Sequence, residues 1–202
     1  IDFADRDAAV WQTDPQTGKP QRSKPRTSHT QIELCARCHA RRGQIWDDYE
    51  YGKPLYNTHR LALLEEQLYF PDGQIKDEVY VYGSFIQSRM YAAGVTCTDC
   101  HEPHSLKLRA EGNGVCATCH FPSRYDTPAH HHHPEDSQSS ACTACHMPQR
   151  NYMVIDARAD HSLRVPRPDL SLVSGSPNAC TMCHTDRNDE WAAEAAHGWW
   201  GD

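Results

Sequence analysis

Polar and apolar positions along this chain mark out short helices separated by long loops. "TQIE" opens with Thr30 and carries Glu33 three residues on, a capping box that predicts a helix over about 30–42. In "YNTHRLALLEEQLY" the apolar residues Leu61, Leu64 and Leu68 recur at helical spacing. "LYFPDGQI" predicts a turn at Pro71, Asp72 and Gly73. "DEVYVYGSFIQSRMYAAG" predicts a helix ending near Gly94, although 79–82 fits the start of a strand equally well. "SPNAC" places Ser176 as N-cap and Pro177 at the first position of another helix, and "DEWAAEAAHGWW" predicts a last one.

One region carries no such pattern. Residues 1 to about 27 contain "TDPQTGKPQRSKPRTS", rich in Pro, Lys and Arg, and read as an extended arm. The rest, 28–202, reads as one domain, with no second boundary. No run of about 18 apolar residues exists to span a membrane. No signal peptide is visible, and the chain begins at Ile1 rather than Met, as expected of a processed chain or a piece of a longer one.

Composition changes the picture. Apolar residues make up 38% of 202, and mean hydropathy is −0.78, too polar for an ordinary core at this length. The net charge of −7 is spread without long runs, and no basic stripe suggests nucleic acid.

The ten cysteines carry the chemistry. They fall as Cys35/Cys38, Cys97/Cys100, Cys116/Cys119, Cys142/Cys145 and Cys180/Cys183, each pair followed by a histidine: His39, His101, His120, His146 and His184. A disulfide framework does not require that regularity, nor does a zinc ribbon. Cys-x-x-Cys-His is the attachment signal of c-type haem. Two thiols add to the two vinyl groups on one porphyrin edge, and the next residue lies under the ring as proximal iron ligand. Five motifs with no spare cysteine predict five covalent haems, whose bulk replaces the missing apolar side chains. The fold expected is mainly α with extensive irregular loops, wrapped around a haem stack with little β, and unfolded without its haems.

Distal ligands decide between an electron carrier and a haem with an open position. Five of the 14 histidines are proximal, leaving nine. His104 follows His101 by three residues, too few to reach the opposite porphyrin face, and reads as a ligand to a different haem. His59 reads as a ligand at the start of its segment, and His161 as one on a loop held extended by Pro166 and Pro168. His29, near a helix start, and His197, near the chain end, read as non-ligating. The run His130, His131, His132 and His133 then supplies two ligands. It has four histidines in mid-chain, unlike a purification tag. In extended chain neighbouring side chains point opposite ways. The outermost pair, His130 and His133, is chosen, with His131 as the alternate and a separate zinc or nickel site as the lesser reading. Met90, Met147, Met153 and Met182 read as packing rather than ligation.

"CTDCHEPHSLKLRAEGNGVCATCH" resembles the doubled Cys-x-x-Cys-His module of multihaem cytochromes c. "CARCHARRGQ", "YGSFIQSRMYAAGVTCTDCHEPH", "YDTPAHHHHPEDS", "CTACHMP" and "DHSLRVPRPD" resemble a family of large octahaem cytochromes that also carry tetratricopeptide repeats. The resemblance covers roughly 25–200. It implies periplasmic or extracellular electron transfer through bis-histidine haems, and supports His59, His104, His161 and at least two of the run as distal ligands. The family's upstream haems and downstream repeats are missing from this sequence. Such a chain fits a fragment, a subunit, or the unit of a conductive filament in which the arm clasps the next copy. Its partners would be other redox proteins or copies of itself. A multihaem oxidoreductase with one open haem acting on a small nitrogen or sulfur species is the alternative, and a scaffolding module the third reading.

Overall fold

A computed structural model describes residues 9–201. The first eight residues of the expected arm lie outside them. The chain forms two compact units, each built from two separate stretches: the chain up to Leu61 with Arg89–Cys142, and Ala62–Ser88 with the chain from Thr143 onward. Both are mainly helical, with two-stranded antiparallel ladders as their only sheet among the described residues.

In the first unit the helix Thr30–His39 carries the first motif. Ile32, Ala36 and Ala40 recur every fourth residue and are at most 2% exposed, so one face of this helix is the unit's apolar seat. The predicted capping box does not form. Glu33 turns away and its carboxylate accepts the Leu55 backbone N–H at 3.0 Å, while Ser28 Oγ accepts from the Thr30 N–H at 3.1 Å. Leu55 is completely buried. Strand Arg42–Gln44 follows and pairs with His59–Leu61, Gln44 opposite His59.

That pairing overturns the helix expected from Leu61, Leu64 and Leu68. The backbone hydrogen bonds of 59–61 go to a ladder, Leu61 and Leu68 are buried, and Leu64 is exposed. Within the stretch read as an arm, Trp11–Thr13 and Pro20–Arg22 form a hairpin. Thr13 Oγ1 donates to the Cys119 carbonyl at 2.8 Å and Arg124 donates to the Thr17 carbonyl at 2.5 Å, which fixes the hairpin beside the third motif.

The second unit has its core at Leu68, Tyr69, Ile75, Val79 and Tyr152, with Ala62 against it. The predicted turn at 71–73 closes the Tyr69–Ile75 bridge, and Gly73 takes φ +86 there, a value L side chains rarely adopt. The helix expected to end near Gly94 is broken into Tyr82–Phe85 and Arg89–Ala92. Its start is lost because the Asp77 and Glu78 carboxylates accept the N–H groups of Glu78 and Tyr80, both at 2.7 Å, and Tyr80 is left-handed at φ +60. Gly94, at φ +99, does close the second piece. Hairpin Gln149–Tyr152 with Asp156–Ala159 completes this core. The last helix, Asp189–Trp200, forms as expected and packs on Pro168–Ser174.

Candidate haem-binding sites

Motif one ends the ten-residue helix Thr30–His39, and the others start on short helices, Cys97–Cys100, Gly114–Ala117, Cys142–His146 and Ala179–Cys183, with motif three running one turn beyond Ala117 through the His120 N–H to Cys116 carbonyl bond. Residues three and four apart share a helix face, so the turn brings both sulfurs and the following imidazole to one side. None of the ten cysteines is in a disulfide.

The cysteines of a pair are not equivalent. Cys35 is half-buried but Cys38 is exposed, a departure from two matched thiols. Cys38 lies two residues beyond buried Ala36, which turns it about 200° from the helix's apolar face. Cys183 is likewise exposed while Cys180 is half-buried. In motif four Cys142 and Cys145 are both half-buried, and Cys145 shares its helix with His146. The sulfurs that meet across motifs are Cys35 with Cys97 and Cys116 with Cys142. Cys38 and Cys145 follow three residues after Cys35 and Cys142, nearly a full turn along their helices from those contacts.

Local side-chain capping fixes the turns of motifs two and five. Thr96 and Asp99 form a capping box under motif two, with the Thr96 N–H donating to the Asp99 carboxylate at 2.7 Å. Motif five is capped by Asn178, not by Ser176 as the sequence suggested. Asn178 Oδ1 accepts from the Thr181 N–H at 3.0 Å, and its amide donates to Asp189 Oδ1 at 2.8 Å and Ser171 Oγ at 3.2 Å. Pro177 ahead of it has no N–H to cap. Since Asn178 is 6% exposed, Asn178→Ala leaves these groups unpaired in a dry site. The expected loss is about 1–2 kcal/mol, read as a fall of several degrees in the thermal midpoint of the loaded protein.

Histidine tautomers separate the candidates. A carbonyl oxygen only accepts, so an Nδ1 beside one carries the proton and leaves Nε2 as a lone pair for metal. His146 Nδ1 donates to the Arg164 carbonyl at 2.9 Å, His161 Nδ1 to the Ala159 carbonyl at 2.9 Å, and His133 Nδ1 to the His131 carbonyl at 2.5 Å. His59 is 5% exposed, and its Nδ1 meets Thr58 Oγ1 at 2.8 Å. Thr58 Oγ1 also lies 3.4 Å from the Leu55 carbonyl, so Thr58 holds the ring by Nδ1 and leaves Nε2 as the outward nitrogen. Burial, then Arg42 and Arg37, lower the His59 pKa and keep the ring neutral.

The histidine run is not extended. His130 and His131 end the turn Pro128–His131, and His132 is left-handed at φ +56. His133 therefore leaves in a new direction. His131 Nδ1 accepts the His133 N–H at 3.2 Å, which sets it in the opposite tautomer from His133. The Tyr125 ring meets His120 and His130 edge-on, at 5.6 and 5.5 Å between centroids, which brings a proximal and an expected distal histidine against one side chain.

His104 is exposed on the connection between His101–Glu102 and Lys107–Leu108, where Glu102 Oε2 accepts its N–H at 3.0 Å. The hairpin keeps it apart from motif two's helical turn. His29 Nδ1 faces Tyr91 Oη at 2.9 Å, and His197 lies exposed on the last helix. Among the described residues no three His, Cys, Asp or Glu side chains cluster as a separate metal site.

Sequence reading missed the residues around these histidines. Arg37, between the cysteines of motif one, stacks over Tyr49 at 4.1 Å, and Tyr49 meets His59 edge-on at 6.4 Å. Arg37 Nε and Tyr49 Oη are buried without a hydrogen-bond partner. Burial raises the Tyr49 pKa, which keeps it protonated as a donor. Two orphaned donors beside a neutral histidine fit a carboxylate-bearing group, as haem is through its propionates. With paired thiols and lone-pair histidines, this donor set fits haem c. Nothing in the sequence flags Tyr49, whereas Asn178 two residues before Cys180 is a readable cap.

No family model matches the chain, and no curated protein does. Among solved structures it is similar to a crystal structure of the outer cell wall cytochrome OcwA, with a TM-score of 0.58 and 17% identity. The match covers 92% of this chain and 54% of that one, so this chain spans about half the length of that protein. At this identity the likeness is one of fold: the chain has a mainly α, loop-rich, cytochrome-like fold.

Proposed function

We propose that this chain is an electron-transfer protein holding five haems c. The pairs Cys35/Cys38, Cys97/Cys100, Cys116/Cys119, Cys142/Cys145 and Cys180/Cys183 would bind them covalently, with His39, His101, His120, His146 and His184 as proximal ligands. The exposure of Cys38 and Cys183 is compatible with this role, since a bound porphyrin would cover those sulfurs. His59, His104, His130, His133 and His161 would close the opposite faces. Each bound haem supplies one iron that accepts and releases a single electron.

The observation that carries this reading is the proton placement on His133, His146 and His161. In each, Nδ1 donates to a carbonyl, so Nε2 would be presented to iron without a proton to lose. Rings anchored in this way would keep their orientation as an iron gains or gives up an electron. The Arg37 and Tyr49 donors would take a propionate beside His59.

Haem is joined to apocytochrome c outside the bacterial cytoplasm, which supports a periplasmic or extracellular location. Among the described residues no helix is long and apolar enough to cross a membrane. Partners would be other redox proteins, or further copies of this chain in a filament. Light scattering of native material reads the second case, and a monodisperse monomer counts against it.

The test of function is the absorption spectrum of dithionite-reduced protein with and without carbon monoxide. No change is expected, since six-coordinate irons leave no vacancy. A change amounting to one haem in five would transfer the reading to an oxidoreductase with one open site.

A further inference from the structure

The attachment turns of different motifs touch one another, and they do so in pairs. Helix Thr30–His39 packs on Cys97–Cys100. Gln31, on the first turn of the first helix, extends its Oε1 to the second, where it accepts from the Thr98 N–H at 3.3 Å and Thr98 Oγ1 at 3.1 Å. Gln31 and Thr98 are 4% and 3% exposed, so the bond is dry. Thr98 is the residue inside motif two, directly after Cys97. On the same side the Cys97 and Cys35 side chains lie within hydrogen-bonding reach of each other.

The same arrangement recurs with a different amide. Asn113 precedes the turn of motif three. Its Oδ1 accepts the N–H of Cys142, the first residue of motif four, at 2.9 Å, and its Nδ2 donates to the Ser140 carbonyl at 3.1 Å. The Cys142 and Cys116 side chains lie within hydrogen-bonding reach of each other. In both cases one side-chain amide reaches from one motif's helix to the backbone of another, and the two first cysteines meet.

We propose that Gln31 and Asn113 are positioning residues that hold the haems of motifs one and two as one neighbouring pair and those of motifs three and four as a second. The inference rests on the haem reading above and adds an order in space. Each first cysteine becomes a thioether sulfur one carbon from its porphyrin edge. Sulfurs held in contact make those two edges neighbours. Electrons would then move fast within a pair and more slowly between pairs.

The test uses the loaded full chain. Neighbouring porphyrins couple their Soret transitions, giving a bisignate circular-dichroism band. Gln31→Leu is expected to weaken the band from one pair and Asn113→Leu that from the other, with the haem count by mass unchanged. Gln31→Glu keeps an acceptor for both Thr98 donors and is expected to restore the first band. An unchanged band in both leucine variants overturns the positioning role. A structure of the wild-type holoprotein keeps the pairing testable if a variant fails to fold. Pairing is upheld if the haem on Cys35/Cys38 has that on Cys97/Cys100 as its nearest neighbour, and likewise for Cys116/Cys119 and Cys142/Cys145. Any other nearest neighbour overturns it. A mass without five haems would instead sink the haem reading itself.

Discussion

His59→Met is expected to raise the midpoint potential of one haem in five and leave the other four in place. Axial ligands set haem potentials over about 0.8 V, and one imidazole-to-thioether exchange should move one wave by on the order of 0.1 V. Three features make His59 the site for this experiment. It is buried, it is held neutral by its surroundings, and its Nδ1 is hydrogen-bonded to Thr58. Methionine is flexible enough to present sulfur from the same strand. The measurement is a spectroelectrochemical titration beside the wild type. Five unchanged waves would remove His59 from the ligand set. His59→Gly should open that iron, and about a fifth of the reduced absorption should then respond to carbon monoxide.

The second large effect is the loss of the fold without haem. Chain made in cells that cannot attach haem should show no cooperative unfolding transition, whereas loaded chain should melt sharply. The buried apolar side chains among the described residues number twelve, and three of these are alanines. A small domain of this length normally needs far more, because ordering each residue costs about 1–2 kcal/mol of backbone entropy. Large apolar groups such as Leu63, Leu64 and Leu106 are exposed instead. On the function proposed above the missing burial would come from porphyrin, as it comes from metal in small metal-dependent domains. A cooperative melt of haem-free chain, followed by far-ultraviolet circular dichroism, would show that the side chains suffice.

The candidate attachment motifs are legible in the sequence because covalent haem attachment demands a rigid local spacing. Cysteines three apart with histidine next suit one helical turn, whatever surrounds them. The exposure of Cys38 was not legible, because it depends on which face of its helix the rest of the unit covers. The last helix was legible for a local reason: "DEWAAEAAHGWW" combines acidic residues in its first turn with strong helix formers. Positions decided by distant partners were not. Glu33 left its expected cap because Leu55, 22 residues on, presents a buried N–H. Leu61 and Leu68 had helical spacing but were drawn into a ladder and a separate core. Asn178 displaced Ser176 as cap because its amide also reaches Asp189. In the histidine run, alternation along an extended chain was the wrong geometry, and the left-handed His132 sets the direction of His133. Residues such as Tyr49 and Gln31 carry no local signal at all.

The two units interleave along the chain, each needing stretches from both sides of the other. As the chain is made, residues 62–88 appear long before Tyr152, which fills their core. The first unit likewise cannot close before residue 142 has arrived. Late closure through contacts far apart in sequence is slow. On the function proposed above, most thiol pairs would emerge while both units are still open, and haem would be joined to them before either unit closes. That delay would give maturation its working time.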